Sequence, residues 1–599
     1  MNPSQPVAPI VQEKPTPSPS GGGVWGSDAI ARMLHTLEVP YVALVPGASF
    51  RGLHDSLVND LGNKTPQMLT CIHEESAVAI AHGYAKASGR MMGAILHSNV
   101  GLLHASMAIF NAWCDRVPML ILGATGPWDA ARRRPWIDWI HTMSDQGGLI
   151  RSFTKWDNQP ASVPAAYDAL LRAAQMATTA PRGPVYVNLD AGLQESKLAE
   201  LPPLPDVSRF RAPESVLPSP ELVRRAAELL STASSPAVLV GRGNHTLESW
   251  RARVALAEKL GARVLSDLKV GAVFPTRHPL YVGPPGSYLS EAATKVLREA
   301  DVVLSLDWID LAGTLKQTFG DQPITAKIIS ASCDVHLHRG SGMECFGLPP
   351  VDVNLLAEPD VVVPLLVEAC RARRSSPPAA APTDATTRAH DVMNLRAVAD
   401  AFNEATDGID VCLTRLPLGW RGSYRHFAHP LDYLGADGGA GVGSGPGMTV
   451  GAALALRGSG RVPVALCGDG DYLMGVTALW TATHYGIPCL FIVCNNRSFY
   501  NDEAHQERVA ITRSRPVENK WIGQRIGDPD MDLAMMAVAQ GAKGIGPVTH
   551  PDQLAKAIKD GLRAVMDGEV CVIDARVLPG YDADVSGEKR AVERSTGRA

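Results

Sequence analysis

The chain has 599 residues, of which 45% are hydrophobic and 20% are charged, an ordinary globular composition with room for about three or four domains. Its 56 Lys and Arg residues are balanced by 61 Asp and Glu residues, so it lacks the basic footprint that binding to nucleic-acid phosphates requires. No apolar run approaches the ~18–20 residues that span a bilayer, and the N-terminus shows no secretory signal. We therefore expect a cytoplasmic protein without a nucleic-acid or membrane partner.

The first block of the chain alternates helical stretches with short apolar runs. Residues 1–23 precede it and are rich in Pro, Ser and Gly, so we expect a disordered tail there, because such a segment cannot offset the entropy of ordering. Helical patterns cover Ser27–Leu37 and Glu75–Ser88. The apolar runs lie at Tyr41–Val45, Gly93–Leu96, Met119–Leu122 and Val185–Leu189. This alternation predicts a parallel α/β domain at 24–200.

Two Pro-rich segments, 201–220 and 374–382, separate two further blocks of the same kind. The apolar runs of these blocks lie at Ala237–Val240, Val302–Leu306, Lys327–Ile329, Val462–Leu466, Cys489–Val493 and Val570–Ile573. We therefore predict a middle domain at 218–372, a third domain at 388–580 and a polar tail at 581–599. The expected fold class is α/β, with a doubly wound parallel sheet in each of the three domains.

Two apolar runs of the third block end in turns that carry polar side chains. The first run ends in Gly468-Asp469-Gly470 and the second in Asn495-Asn496, with room for one helix between them. The carboxyl ends of neighbouring parallel strands meet at one edge of a sheet, where open α/β proteins bind ligands. Asp and Asn oxygens there suit Mg²⁺ or Ca²⁺, and glycines let the backbone approach a diphosphate. The alternative interpretation is two turns that merely end buried strands.

These turns resemble the signature of thiamine diphosphate (ThDP) enzymes of the decarboxylase and acetohydroxyacid synthase family. The resemblance implies that Asp469, the Asn496 side chain and the Ser498 backbone carbonyl hold the metal ion, Mg²⁺ or Ca²⁺, that anchors the ThDP diphosphate. Asp471 departs from the small residue that is common in the family at this position. A second acid beside the metal should raise the metal affinity or need its own counter-ion.

A second motif begins a predicted helix in the first domain. His73-Glu74, followed by Gly83-Tyr84-Ala85, resembles the helix in the same family whose glutamate hydrogen-bonds the aminopyrimidine ring of ThDP. The resemblance assigns that role to Glu74. Glu75 is the neighbouring alternative, and two acids at a helix N-terminus are also what a favourable interaction with the helix dipole would select.

Two histidine-containing segments resemble benzoylformate decarboxylase within this family. These are Leu96-His97-Ser98 and the segment Phe274–Pro279, which contains His278. The resemblance implies that His97 and His278 carry protons in the active site, one from each of two chains or domains. The alternative is a structural role, since His97 ends a buried strand and His278 lies in a Pro-rich turn.

Other positions in the expected pocket depart from the family pattern. Ala48 replaces the Ser that contacts the substrate carboxylate in benzoylformate decarboxylase, which leaves Ser49 as a displaced substitute. Val442 takes the place of the larger side chain that keeps the cofactor bent, and it should wedge the two rings less tightly. The cofactor-binding residues that the resemblance implies are Gly468, Asp469, Gly470, Asn496, Val442 and Glu74.

The resemblance as a whole implies an enzyme that uses ThDP and Mg²⁺ to decarboxylate a 2-oxo acid without oxidation. The resulting enamine is either protonated to an aldehyde or added to an aldehyde acceptor, and the sequence leaves this branch open. A homodimer or homotetramer with active sites between subunits is expected. FAD is not expected, because the Gly-Arg-Gly turn at 241–243 is a weak dinucleotide signal.

Three alternatives remain open. The chain could be an acetolactate synthase-like carboligase, or a lyase or hydrolase that acts on a diketone or an acyloin. It could be a ThDP-binding relative without turnover, which the presence of Glu74, Asp469 and Asn496 argues against. A Rossmann oxidoreductase is the third, and it is disfavoured because no G-x-G-x-x-G motif with a downstream acid follows a strand.

Overall fold

The computed structural model describes residues 10–17, 23–334, 347–373 and 390–580 of the chain. They form three parallel sheets of six, five and five strands, together with one small antiparallel pair. Each large sheet is flanked by helices, which confirms the expected α/β class with three parallel-sheet domains. Among the helices in these ranges, none has both the length and the apolar character to cross a membrane.

The N-terminal domain contains the six-stranded sheet, in the order β3-β2-β4-β5-β7-β6. Its elements are β1 (Val24–Trp25), α1 (Gly26–Thr36), β2 (Tyr41–Leu44), α2 (Arg51–Asp55), β3 (Gln67–Thr70), α3 (Glu74–Ser88), β4 (Met92–Leu96), α4 (Ser98–Cys114), β5 (Met119–Thr125), α5 (Ile137–Ile140), β6 (Asp157–Asn158), α6 (Val163–Thr178), β7 (Pro184–Asp190), α7 (Ala191–Gln194) and β8 (Lys197–Leu198). Successive residues Ile95 and Leu96 of β4 enter different hydrophobic cores. Both faces of the sheet are therefore buried, which explains the continuous apolar runs in the sequence. The winding changes direction between β2 and β4, where α/β sheets bind ligands.

The middle domain has five strands in the order β10-β9-β11-β12-β13. Its elements are α8 (Pro220–Thr232), β9 (Pro236–Val240), α9 (Leu247–Leu260), β10 (Arg263–Ser266), α10 (Glu291–Glu299), β11 (Val302–Leu306), α11 (Leu311–Phe319), β12 (Lys327–Ala331), β13 (Val353–Leu355) and α12 (Pro359–Ala369). All its strand pairs are parallel. The winding changes direction between β9 and β11, so the crevice of this domain lies beyond those two strands.

The C-terminal domain has five strands in the order β14-β15-β16-β18-β17. Its elements are α13 (Leu395–Ala405), β14 (Val411–Arg415), α14 (Ser444–Ala455), β15 (Val462–Gly468), α15 (Asp469–Gly475), α16 (Ala478–Tyr485), β16 (Leu490–Asn495), α17 (Tyr500–Thr512), α18 (Leu533–Val538), β17 (Lys543–Val548), α19 (Pro551–Met566) and β18 (Cys571–Arg576). Strands β15 and β16 are direct neighbours in parallel register, with Gly468 opposite Cys494. The two polar turns of the sequence therefore leave the same edge of this sheet.

Helix α3 of the N-terminal domain packs against helix α14 of the C-terminal domain so closely that their backbones are in contact. A Cβ atom added at Gly83 would lie 2.0 Å from the carbonyl oxygen of Met448, and one added at Gly451 would lie 1.9 Å from that of Ile80. Only glycine permits so close an approach of two helix backbones. One hydrophobic core consequently runs through both domains.

We expect Gly451→Ala to destabilise this junction. The added methyl group would overlap the backbone of α3, and overpacking of this kind typically costs ~1–3 kcal/mol. The temperature of half-unfolding, followed by circular dichroism, should fall by several degrees. Gly580→Ala is the matched control, because a Cβ atom there would meet no atom within 4 Å. Equal unfolding temperatures for the two variants would contradict this expectation, because the two helices would then accommodate the methyl group without a loss in the free energy of unfolding.

Residues 10–17 differ from the expectation of a disordered tail. Ile10 is buried in the core that the two cofactor domains share. The backbone N–H of Val11 donates to the carbonyl of Tyr485 at 3.0 Å, and the Gln67 side chain donates to the carbonyl of Val11 at 2.8 Å. For these residues the prediction failed because it weighed average composition, whereas one buried side chain and a few backbone hydrogen bonds hold the segment. The rest of the expected tail, at 1–9 and 18–22, and the expected tail at 581–599 lie outside the described residues.

Candidate active site

Asp469 lies at the carboxyl end of β15, as the first residue of α15. Within the described residues, its side-chain oxygens accept hydrogen bonds from the backbone, from the N–H of Gly470 at 2.8 Å and from the N–H of Ser498 at 3.3 Å. The Asn496 side-chain oxygen accepts from the same Ser498 N–H at 2.9 Å. The parallel pairing of β15 with β16 thus gathers the three residues that the sequence suggested as metal ligands.

The surroundings of Asp469 fit a cation. The residue is 4% exposed, and no Lys, Arg or His side chain among the described residues forms an ion pair with it. Burial raises the pKa of the carboxyl group, while the surrounding backbone N–H groups oppose this shift. A buried carboxylate without a counter-ion is costly unless a proton or a metal ion compensates it. Beside it, a Cβ atom added at Gly468 would meet nothing within 4 Å, which leaves room for a phosphate group.

Asp471, the departure from the family pattern, has its own counter-ion. The Arg415 guanidinium donates from Nε to Asp471 Oδ2 at 2.9 Å, and its Nη1 lies 2.6 Å from Asp437 Oδ1. The other oxygen of Asp471 accepts from the N–H of Gly443 at 2.7 Å. Asp471 therefore fixes the loop before α14 rather than facing the expected metal. Sequence reasoning missed Arg415, although an arginine at the end of an apolar strand calls for a buried acidic partner.

The two acids at the start of α3 face different neighbours. Glu74 is 7% exposed, and its Oε2 lies 3.1 Å from Nδ1 of His104 on α4. A Cβ atom added at Gly101 would lie 3.3 Å from Glu74 Oε1, so the glycine leaves room around this oxygen. Glu75 faces the C-terminal domain instead, with Oε1 3.6 Å from a Cβ atom added at Gly443. Burial, followed by the charges of two nearby aspartates, raises the pKa of Glu75.

The start of α3 packs against the C-terminal domain of the same chain. It lies against the loop that ends at Gly443, because α3 and α14 pack along their length. Val442, in the same loop, is 37% exposed. An active site formed by the Glu74 domain of one subunit and the Asp469 domain of another remains a prediction.

His97 lies beyond β4, at the point where the N-terminal sheet changes its winding. Its Nδ1 is 2.8 Å from Ser49 Oγ, and its ring packs edge-on against the His141 ring with the centroids 4.7 Å apart. Burial and the neighbouring His141 lower the pKa of His97, and the Glu74 charge opposes this shift. Ser49 thus contacts the histidine, with Ala48 beside it. The sequence pattern did not identify His141, which lies far along the chain in a segment without regular periodicity.

His278 lies in the middle domain, apart from this group. Its Nε2 is 3.2 Å from Glu258 Oε1 on α9, and its ring packs edge-on against Phe274 at a centroid distance of 5.3 Å. These partners match the structural alternative for this residue. A catalytic role for His278 remains a prediction, because neither Glu258 nor Phe274 belongs to the residues proposed to bind the cofactor.

The Gly-Arg-Gly turn after β9 takes part in an ion-pair network between domains. Arg242 Nη1 lies 2.7 Å from Asp334 and 3.3 Å from Asp307, and Arg116 of the N-terminal domain pairs with the same two acids. Arg116 and both acids are buried. The arginine of the turn that resembles a dinucleotide site is thus paired with two acidic side chains of the same chain.

A cavity with a volume of about 1330 Å³ lies between the middle domain and α17. Asp267 and Trp308, at the carboxyl ends of β10 and β11, line one side, and His505 and Arg508 of α17 line the other. Helix α17, which begins two residues after Ser498, therefore forms one wall of this cavity.

Three models of the thiamine pyrophosphate enzyme family match consecutive parts of the chain; thiamine pyrophosphate is another name for ThDP. The N-terminal TPP binding domain matches residues 24–149, the central domain matches 223–335 and the C-terminal TPP binding domain matches 418–575. The matched ranges include Glu74 and Asp469, the two residues around which the site is built.

Individual relatives are similar over most of the chain. Benzoylformate decarboxylase of Pseudomonas aeruginosa is 26% identical over 444 residues, which cover 72% of this chain and 78% of that protein. The acetolactate synthase large subunit of Lactococcus lactis subsp. lactis is 23% identical over 582 residues, or 95% of this chain and 94% of that protein. The crystal structure of benzoylformate decarboxylase from Polynucleobacter necessarius shares the fold, with a TM-score of 0.77 at 20% identity over 93% of this chain and 99% of that chain. The chain is therefore an enzyme of the thiamine diphosphate-dependent family, and it is related to these decarboxylases and synthases.

Proposed function

We propose that this enzyme uses ThDP and Mg²⁺ to remove CO2 from a 2-oxo acid, and that it releases an aldehyde or transfers the remaining carbon unit to an aldehyde acceptor. The observation that carries the proposal is the buried Asp469 carboxylate at the end of β15, beside Asn496 and Ser498, which has no cationic partner among the residues that the structure describes. A neutral ligand would leave this charge uncompensated.

Bound ThDP would supply a thiazolium carbon that adds to the substrate carbonyl and accepts the electron pair left by CO2. Asp469, Asn496 and the Ser498 carbonyl would hold the metal ion, with the glycines at 468 and 470 next to the diphosphate. Glu74 would hold a proton at Oε1 for the pyrimidine ring. Glu74 and Asp469 are 7% and 4% exposed, and the scarcity of water around them strengthens the interactions of both carboxyl groups.

Ser49 and His97 are the groups of this chain best placed to act on the substrate. They lie at the winding change of the N-terminal sheet, and Ser49 holds the imidazole by a 2.8 Å contact. The lowered pKa of His97 leaves the ring mostly neutral near pH 7 and makes it a weaker base, while the small protonated fraction is a stronger acid than free imidazolium and can donate a proton. An acetolactate synthase-like carboligase is the alternative, and the Lactococcus relative favours it.

The direct test combines cofactor identity with product analysis. The purified enzyme is loaded with ThDP and MgCl2, separated from free ligand and denatured, and the released cofactor is identified by mass spectrometry. The loaded enzyme then receives pyruvate, 2-oxobutyrate or benzoylformate, with and without benzaldehyde, and CO2, aldehyde and acyloin are quantified. Stoichiometric ThDP and release of CO2 from at least one acid are expected. Retention of NAD(P) instead of ThDP would overturn the proposal.

A homodimer or homotetramer is also proposed, since family resemblance implies one. Multi-angle light scattering of the eluting protein gives the mass directly. A mass equal to that of one chain, with full cofactor binding, would contradict this assembly.

The fate of the substrate carbon should depend on His97. We expect His97→Ala to slow aldehyde release by ~10²–10⁴-fold, the range typical of a lost general acid, and to raise the acyloin-to-aldehyde ratio. Because the pKa of His97 is lowered, the protonated ring is populated only at acidic pH; its contribution should therefore grow as the pH falls and fade as it rises. The measurement is the product ratio between pH 5 and pH 8 with an acid that the wild type consumes. His550→Ala, at an exposed position, is the control, and an unchanged ratio in His97→Ala would return His97 to a structural role.

A further inference from the structure

A second imidazole lies beside His97. The His141 ring packs edge-on against the His97 ring, with the centroids 4.7 Å apart and the planes at 72°. Nδ1 of His97 in turn lies 2.8 Å from Ser49 Oγ. Ser49 follows β2, His97 follows β4 and His141 lies in the segment 126–142 after β5, so three neighbouring strands of one sheet direct them to one place. The carboxyl ends of such strands are where α/β sheets bind ligands.

The His97 ring has a fixed position. A Cβ atom added at Gly47 would lie 2.3 Å from Cγ of His97, so the ring occupies the space of the missing side chain. Ser49 and His141 contact the same ring. The turn after β2 and the segment 126–142 therefore hold this imidazole together.

The backbone at His141 is anchored to the start of α4. The Ser98 hydroxyl donates to the His141 carbonyl, and the Asn99 side chain donates to the Ile140 carbonyl at 3.3 Å. Ser98 and Asn99 directly follow His97 in the chain. The same turn therefore positions both imidazoles.

The arginines of the segment 126–142 support its backbone. Arg134 pairs with the buried Asp138 at 2.8 Å. Arg132 and Arg133 donate to backbone carbonyls of the same domain, at 2.9 and 2.7 Å. The basic stretch 132–134 thus stabilises the loop that carries His141, because each of its guanidinium groups bonds within the chain.

The other charged groups around the two imidazoles are one cation and two acids. Arg51, two residues after Ser49, pairs with Glu195 at 2.7 Å. Glu74 is the acid whose charge acts on His97. By contrast, neither the His141 ring nor Nε2 of His97 forms a hydrogen bond within the part of the chain that the structure describes. The imidazole nitrogens are therefore the donors that remain for a ligand.

We propose that His141, together with His97, binds the carboxylate of the 2-oxo acid. Two imidazoles can each donate an N–H group to a carboxylate oxygen, and an anion bound there favours the protonated rings, which strengthens both hydrogen bonds. The contacts that hold the pair lie within the N-terminal domain, so they do not depend on which subunit supplies the Asp469 domain. The inference rests on the proposed function, because the carboxylate belongs to the acid that loses CO2.

The experiment compares wild type with His141→Phe and His141→Asn. Phenylalanine keeps an aromatic ring against His97 but has no N–H group, whereas asparagine offers an N–H donor close to the backbone. The ligands are lactate, 2-hydroxybutyrate and mandelate, which have the carbon skeletons of pyruvate, 2-oxobutyrate and benzoylformate but no ketone for the cofactor to attack. The corresponding amides are the uncharged controls. Dissociation constants are measured by calorimetry on enzyme loaded with ThDP and Mg²⁺.

The wild type should bind at least one hydroxy acid about tenfold more tightly than its amide. In His141→Phe, the affinity for that acid should fall by about 10- to 100-fold, as for a lost hydrogen bond to a charged group, while the affinity for the amide changes little. His141→Asn should stay within about threefold of the wild type for both ligands. The dissociation constant of ThDP should change by less than about threefold in either variant. His550→Phe, at an exposed position, is the matched control.

Three results overturn the inference. Equal affinity of the wild type for the acids and their amides, or no binding of any hydroxy acid, would place the substrate carboxylate elsewhere. An unchanged preference in His141→Phe would leave His141 with a packing role, and equal losses in both variants would mean that an N–H donor at this position does not bind the acid. Each of these results is compatible with ThDP binding and CO2 release by the wild type, whereas failure of the proposed function would appear as the absence of either.

Discussion

Asp469→Ala is expected to lose nearly all retention of ThDP and Mg²⁺ while keeping its fold. The substitution removes the only carboxylate among the proposed metal ligands, so the loss in affinity should exceed the ~10–100-fold typical of outer-shell partners. The fold should persist because, in the part of the chain that the structure describes, Asp469 hydrogen-bonds to backbone N–H groups and its buried charge has no cationic side-chain partner. The apoenzyme should therefore be at least as heat-stable as the wild-type apoenzyme.

Equilibrium dialysis with ThDP and MgCl2, together with thermal unfolding of the apo forms, checks both parts of this expectation. Asp471→Asn is the matched control two residues away. It weakens the pairing with Arg415 and so should lower thermal stability, yet it should keep most of the cofactor binding. If Asp469→Ala binds ThDP as the wild type does, the metal site lies elsewhere and the proposed function loses its main support.

Glu74→Gln is expected to separate cofactor binding from cofactor activation. Glutamine has the same shape and can still contact His104, so ThDP should bind with little change. It cannot transfer a proton to the pyrimidine ring, and C2 exchange should slow by ~10²–10⁴-fold. The measurement is acid-quenched deuterium exchange on the bound cofactor, with the dissociation constant determined separately.

Glu75→Gln is the control for that experiment. Glu75 faces Asp471 and Asp437 rather than α4. The rate of C2 exchange in Glu75→Gln should therefore stay near that of the wild type. If Glu75→Gln slows exchange while Glu74→Gln does not, the two acids have the opposite roles, and the raised pKa of Glu75 would then be the relevant property of the site.

The parts of the molecule that follow from local pattern were predictable. The apolar run Tyr41–Val45 became β2 at Tyr41–Leu44, and the helical pattern at Glu75–Ser88 became α3 at Glu74–Ser88. The meeting of Asp469 with Asn496 followed from parallel pairing, because neighbouring strands end at the same edge. These predictions rest on backbone geometry, which short stretches of sequence determine.

The parts that depend on side chains far apart in sequence were not predictable from pattern. Arg415 neutralises Asp471 across 56 positions, and His104 reaches Glu74 across 30. Residues 10–17 dock through Ile10, whose burial depends on a groove that other segments create. Each of these contacts is specified only once the domains are packed, so a single chain without an alignment carries little signal for them.

The glycine contact between α3 and α14 makes this joint rigid. With carbonyl oxygens occupying the space of missing side chains at Gly83 and Gly451, neither helix can slide or rotate without a backbone collision. The start of α3, which carries Glu74, and the loop before α14, which carries Val442, are thus held at a fixed position relative to each other within the chain. We expect relative motion within the chain to occur elsewhere instead, between α17 and the middle domain, which face each other across the 1330 Å³ cavity. Deuterium exchange of backbone amides should accordingly be slower in α3 and α14 than in α17.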